Sequence, residues 1–136
     1  ERYRLLWDNI AIWYHLYRFF RPFMDAGACF VADTYTNAWT VALDLEEEPF
    51  VTLARAYTGV FINVDLPTRL QTIASLARRF QVDGMVMHAN RSCKPFSTTQ
   101  HAVRDGLRDN VGEYAGRGYA GREHAGGQLH GAGDHL

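Results

Sequence analysis

Residues 83–100 read DGMVMHANRSCKPFSTTQ. An Asp-Gly pair leads into a short apolar run, 85–89, which ends in a polar turn holding Arg91, Cys93 and Lys94 within four residues. A run this short, bounded by turn-forming residues, reads as a buried strand rather than a helix. From about Ser97 the pattern turns helical, and Ser97 with Gln100 has the spacing of a capping box. The same unit occurs upstream, where ACFVADTYT (28–36) is a second apolar run opening into polar residues. Strands alternating with helices predict a parallel sheet flanked by helices, a flavodoxin- or Rossmann-like α/β domain. In such sheets ligands bind beyond the carboxyl ends of the strands, so DTYTN (33–37) and NRSCKPF (90–96) are expected to line one site.

Outward from these strands, residues 1–26 carry apolar side chains at steps of three and four: Leu6, Ile10, Trp13, Tyr14, Tyr17, Phe20 and Met24. That period predicts one aromatic, core-facing helix, stopped or kinked at Pro22 and ended at Gly27. Glu46, Glu47 and Glu48 before Pro49 predict a helix start leading into FVTLARAY. The clearest helix begins at Leu66, with Leu70, Ile73, Ala77 and Phe80 forming one stripe, Asp65 or Asn63 as cap and Pro67 in the first turn. Arg69, Arg78 and Arg79 lie off that stripe and are expected to be solvated. The expected order is helix, strand, helix, helix, strand, helix.

The chain has 136 residues, 47% of them hydrophobic and 21% charged, with a net charge of -1, all ordinary for one globular domain. Thirteen of its 14 basic residues are Arg. This balance argues against nucleic-acid or anionic-membrane partners, and no apolar run approaches the roughly 20 residues of a membrane span. Two cysteines, Cys29 and Cys93, make no disulfide framework, which favours a reducing, cytoplasmic setting. The opening residues show no signal-peptide pattern and read as mid-protein.

Residues 108–136 break from the rest. They hold eight of the 12 glycines, three of the six histidines and no Ile, Phe, Met or Trp. Such a stretch cannot bury enough apolar surface to offset its ordering entropy. A natural flexible tail and an out-of-frame reading of GC-rich DNA both account for it, the second better. His124, His130 and His135 match no structural zinc spacing. The expected division is therefore 1–107 as a partial α/β domain and 108–136 as an unstructured or out-of-frame tail.

Four readings of Cys93 remain open on the residues alone. It can be a plain turn residue with Arg91 and Lys94 solvated. It can be a nucleophile whose thiolate those cations and a following helix N-terminus favour, with His88 or His101 as base. A structural zinc site lacks a second Cys or His at usual spacing. An iron–sulfur ligand is again a thiolate, favoured by nearby cations.

The wording of the segment goes further. Asp83, Gly84, His88, Asn90, Arg91, Ser92, Cys93, Lys94, Pro95, Phe96, Ser97 and Gln100 together resemble a stretch of the benzoyl-CoA reductase and 2-hydroxyacyl-CoA dehydratase family. YRLLWDNIAIW and DTYTNAWT are similar to its upstream segments, in the same order, and the resemblance ends near residue 107. It implies flavodoxin-like domains and a [4Fe–4S] cluster held by three cysteines with one iron open. It also implies a homologous partner subunit and a separate ATP-hydrolysing iron–sulfur activator that delivers single electrons. The substrate would be an acyl-CoA thioester, reduced to a ketyl-type radical and then dehydrated or, on the benzoyl-CoA side, ring-reduced.

Carried over residue by residue, Cys93 matches a cluster ligand, whereas Cys29 matches none and is expected to be a small buried side chain within its strand. The other ligands are then expected outside this segment, which makes the chain a piece of a subunit. Arg91 and Lys94 would neutralise the cluster, meet CoA phosphates or stand as surface charges. His88 would be a hydrogen-bonded core histidine or a neighbour of cluster or substrate, and Asn90 would shape the turn. Tyr35 and Asn37 end the other strand. The wording favours benzoyl-CoA reduction over 2-hydroxyacyl-CoA dehydration. A non-functional remnant is the alternative.

Overall fold

The computed structural model describes residues 2–109. Three parallel strands form one sheet: β1 (Tyr3–Asp8), β2 (Ala28–Asp33) and β3 (Gly84–Met87), in the order β2-β1-β3. The helices are α1 (Leu16–Asp25), α2 (Pro49–Thr58), α3 (Leu66–Phe80), α4 (Lys94–Ser97) and α5 (Gln100–Asp109), with short 3-10 turns at Trp13–His15 and Thr36–Trp39. The α/β class is as expected, with one more strand. Residues 110–136, including His124, His130 and His135, lie outside the described residues.

The added strand corrects the reading of residues 1–26 as a single helix. RLLWD is short, apolar and central in the sheet, and periodicity over so few residues does not separate a strand from a helical turn. Asn9 then takes φ 86°, a left-handed conformation that ends the strand and that Asn tolerates better than most residues. The apolar face of α1 is also not the expected one. Trp13, Tyr14, Tyr17 and Met24 are exposed, while Phe19, Phe20 and Phe23 face the sheet. Pro22 lies inside α1 without ending it; the helix closes at Gly27, whose φ of 82° suits a left-handed C-terminal residue and whose N–H donates to Met24 O at 2.9 Å.

Successive side chains of β1 point to opposite faces. Trp7 packs edge-on against Phe19 (5.2 Å), Phe20 (5.6 Å) and Phe30 (5.7 Å) on the α1 side. Leu6, fully buried, joins Phe61, Leu70, Ile73, Leu76, Phe96 and Val103 on the side of α3 and α5. The molecule is thus three layers, with α1 on one face of the sheet and α3 and α5 on the other. α5 meets α3 at a glycine: a Cβ on Gly106 would stand 2.7 Å from Leu70 Cδ1.

The helix starts follow the expected chemistry. Asp65 caps α3 by accepting from Thr68 N at 3.0 Å, with Pro67 in the first turn. Glu48 caps α2 by accepting from Val51 N at 2.9 Å. The pairing of β1 with β2 shifts register between Leu5 and Leu6, so that Leu5 faces Phe30 but Leu6 faces Ala32, and Val31 is the extra residue of a bulge.

Candidate functional site

The strand order reverses about β1, since β2 lies on one side of it and β3 on the other. In doubly wound sheets the crevice at the carboxyl ends forms at this point. Here three strand ends are laced together by polar groups. Asn9 N donates to Thr34 Oγ1 at 3.1 Å, and the Thr34 hydroxyl donates to Asp8 Oδ1 at 2.8 Å. Asn9 Nδ2 donates to His88 O at 2.8 Å, and Asn9 Oδ1 accepts from Ile10 N at 2.6 Å. Asp8, Asn9 and Thr34 are all buried. Burial holds the Asp8 carboxyl above its ordinary pKa, against the opposing pull of the Thr34 hydroxyl, the Arg69 charge and the Asn9 amide.

His88 follows β3. Its Nδ1 faces Ile10 O at 2.6 Å, and a carbonyl can only accept, so Nδ1 carries the proton. The ring lies 5.6 Å from that of Trp7, and the His88 carbonyl also accepts from Gln100 Nε2. His88 is a half-buried, hydrogen-bonded residue that fastens β3 to β1.

Beyond it, Asn90 turns the chain: its Oδ1 accepts from Ser92 N at 2.9 Å and from the Ser92 hydroxyl at 2.6 Å. Ser97 Oγ donates to Asn90 O and to Cys93 O (2.9 Å for the latter). The expected capping box is therefore not formed. Ser97 ties the turn to itself, Gln100 reaches back to His88, and the chain breaks the helix into α4 and α5. Because α4 is a single turn, a helix dipole acting on Cys93 is not available, and the nearby cations are the remaining electrostatic influence.

Cys93 is half-buried and packs against the core cluster. It precedes α4 without using its thiol as a cap. Arg91 and Lys94 project from the same turn, exposed. Tyr35, from the end of β2, comes within 6.2 Å of the Phe96 ring, which brings the two expected strand-end segments together. Beside them lies an apolar cleft of about 370 Å³ whose lining includes Tyr35, Trp39, Leu53, Tyr57, Ile62 and Phe96. Cys29, by contrast, is exposed in the amino half of β2, at the other end of the sheet. β2 is an edge strand among the described residues, so position 29 is not covered as a residue of a central strand would be.

The largest departure is Arg69. Instead of being solvated it is 6% exposed, and its guanidinium donates four hydrogen bonds. Nε reaches Val64 O (3.1 Å), Nη1 reaches Pro95 O (3.1 Å) and Thr99 Oγ1 (2.8 Å), and Nη2 reaches Ile62 O (2.6 Å). The guanidinium also sits 5.7 Å from the Phe61 ring centroid. Helical spacing alone misses it. Asp8, Asn9 and Thr34 escape a reading of the sequence because their partners lie 25 to 79 residues away.

The model of the family 2-hydroxyglutaryl-CoA dehydratase, D-component, matches residues 1–112. The chain belongs to this family. It is 33% identical over 97 residues to the lactoyl-CoA dehydratase subunit alpha of Anaerotignum propionicum, a match covering 71% of this chain and 23% of that one. It is 28% identical over 119 residues to a benzoyl-CoA reductase subunit of Thauera aromatica, covering 85% of this chain and 28% of that one. It is also 28% identical over 117 residues to the (R)-2-hydroxyisocaproyl-CoA dehydratase alpha subunit of Clostridioides difficile, covering 85% and 28%. The chain thus spans about a quarter of the length of the curated relatives it matches.

Set against this dehydratase family's implied iron–sulfur cluster, the described residues fit in part. They contain no group of three His, Cys, Asp or Glu able to hold a metal ion together. They do offer one half-buried thiol, not engaged as a cap, on a turn with two exposed cations, which is the donor chemistry of a single cluster thiolate. No helix among the described residues is long and apolar enough to cross a membrane.

Proposed function

We propose that this chain is the part of an iron–sulfur subunit that contributes Cys93 as one thiolate ligand of a [4Fe–4S] cluster, in an enzyme acting on an acyl-CoA thioester. The observation that carries this reading is the placement of Cys93, half-buried past the end of β3 at the switch point of the sheet, three residues before Phe96, which lines an apolar cleft. When bound, the cluster would supply one-electron reduction of the thioester; the remaining ligands would come from outside residues 2–109.

The chain's own residues then have separable tasks. Asn90, Ser92 and Ser97 shape the turn that presents the thiol. Arg91 and Lys94 are placed to offset cluster charge or to meet CoA phosphates. His88 holds the turn's start against β1, with its imidazole proton committed to Ile10 O. The apolar, partly aromatic cleft would exclude water beside an acyl group. The complex would be cytoplasmic and would pair this subunit with a homologous one, supplied with electrons by a separate ATP-hydrolysing iron–sulfur activator.

Benzoyl-CoA ring reduction is the finer reading, supported by the wording of residues 33–40 and 90–96 and by the aromatic lining of the cleft. 2-Hydroxyacyl-CoA dehydration is the second, favoured by the 33% identity to a lactoyl-CoA dehydratase subunit. The test uses the full-length subunit with its partner, purified anaerobically. Iron and sulfide are counted and the EPR spectrum recorded for wild type and Cys93→Ala. Loss of a cluster in the variant is expected; an intact cluster would make Cys93 a turn residue. Turnover of benzoyl-CoA against (R)-2-hydroxyacyl-CoA substrates, with activator and ATP, separates the two readings.

A further inference from the structure

A buried cation normally has a carboxylate partner, because desolvating a charge costs several kcal/mol unless it is compensated. The Asp8 carboxyl feels the Arg69 charge, yet all four hydrogen bonds of Arg69 end on neutral oxygens, three of them backbone carbonyls. Those oxygens belong to two segments only. Ile62 and Val64 lie in the loop before α3, and Pro95 and Thr99 lie just after Cys93. The guanidinium therefore joins the root of α3 to the segment that carries the thiol. Its forked donors suit this in a way a lysine ammonium does not, since Nη1 alone bridges Pro95 O and Thr99 Oγ1.

The turn is fastened on its other side as well. The His88 carbonyl accepts from Asn9 Nδ2 and Gln100 Nε2, so the chain is anchored at 88 and again at 95. Cys93 lies between these points, and the side chains of Asn90, Ser97 and Thr98 that brace the interval bond only within residues 90–98. Of the two anchors, the one nearer the thiol is Arg69, two residues from Cys93 through Pro95.

We infer that Arg69 is a positioning residue for Cys93, fixing the thiol's depth in the turn through Pro95 and Thr99. Its consequence for a cluster rests on the proposed function; the positioning of the thiol itself does not. Arg69 has no contact with substrate, and its effect passes through the backbone of 95–99.

The experiment uses the full-length subunit with its partner, first freed of cluster. The rate of Cys93 alkylation by iodoacetamide is followed by peptide mass spectrometry, at a temperature where urea titration shows every variant folded. Losing the two bonds to 95 and 99 is expected to raise the rate about tenfold in Arg69→Met, through local opening of the turn, and less in Arg69→Lys. Thr99→Val removes one of those bonds and serves if Arg69→Met does not fold; its rate should rise about threefold. Phe23→Leu, on α1 across the sheet, where Phe23 packs against Phe19 and Phe30, lowers stability without touching the turn and should leave the rate unchanged. Equal rates in Arg69→Lys, Thr99→Val and Phe23→Leu would overturn the inference. In the loaded complex, Arg69→Lys is expected to shift the EPR g-values that Cys93→Ala abolishes. If Cys93→Ala keeps its cluster while Arg69 variants still speed alkylation, the ligand reading fails and the positioning role stands.

Discussion

At the carboxyl edge of the sheet Asn9 is fully buried, and its backbone N–H, both ends of its side-chain amide and the Thr34 hydroxyl are hydrogen-bonded. Across residues 41–58 the reverse holds: Leu45 is 91% exposed, Phe50 80%, and Val41, Leu43, Val51, Leu53 and Tyr57 are exposed as well. The first region is held by directional bonds between residues distant in sequence. The second presents apolar side chains largely to solvent, several of them along the apolar cleft. Bonds of the first kind are costly to lose singly, because each removal leaves a buried partner unsatisfied. Exposed apolar side chains contribute little to the stability of the region that displays them.

The contrast is broken most decisively at Arg69. Arg69→Met should cost about 3 kcal/mol or more, because three carbonyls and a hydroxyl lose their donor at once. Urea denaturation of the full-length subunit measures it, and a cost near zero would mean that water replaces the guanidinium. Asn9→Gly is next, at about 2 kcal/mol, since it keeps the positive φ while removing the bonds to His88 O and from Ile10 N. Asn9→Ala should cost roughly 1 kcal/mol more, the difference reporting backbone strain alone.

Asp8→Asn sharpens the comparison by pH. Burial raises the Asp8 pKa in the folded state, so the folded protein binds this proton more tightly than the unfolded chain does. This group's contribution to stability is therefore greatest in acid and is lost as pH rises through the raised value. The stability of Asp8→Asn relative to wild type should increase across that window and level off above it, as read from denaturation midpoints at a series of pH values. The smallest effect is expected at Phe50→Ser, within about 0.5 kcal/mol.

Much of this is legible in the residues. The strands at 28–33 and 84–87, the Asp65-capped helix, the meeting of the two strand-end segments and the turn-forming role of Asn90 follow from short apolar runs, caps and turn chemistry, all local signals. The failures are of two kinds. YRLLWD falls into a helical period because a central strand of six residues offers no alternation to contradict it. Arg69 reads as solvated because its place off the apolar stripe says nothing of the carbonyls that a loop and a distant turn bring to it. For the same reason Cys29, judged by its strand, is expected inside, although an edge strand leaves it uncovered. The candidate ligand, Cys93, is reached through the wording of its segment, and its anchors become visible only in three dimensions.

The bulge at Val31 gives β2 one residue to spare. With it accommodated, Asp33 stands opposite Trp7 and Thr34 falls in line with Asp8. Deleting Val31 would leave Phe30 opposite Leu5 and set Ala32 directly after it, still opposite Leu6, so the ladder would become regular and Thr34 would keep its bonds to Asp8 and Asn9. A second deletion would move Asp33 and Thr34 by one step and turn the Thr34 hydroxyl to the opposite face. The count of residues from Phe30 to Thr34 can therefore fall by one and not by two.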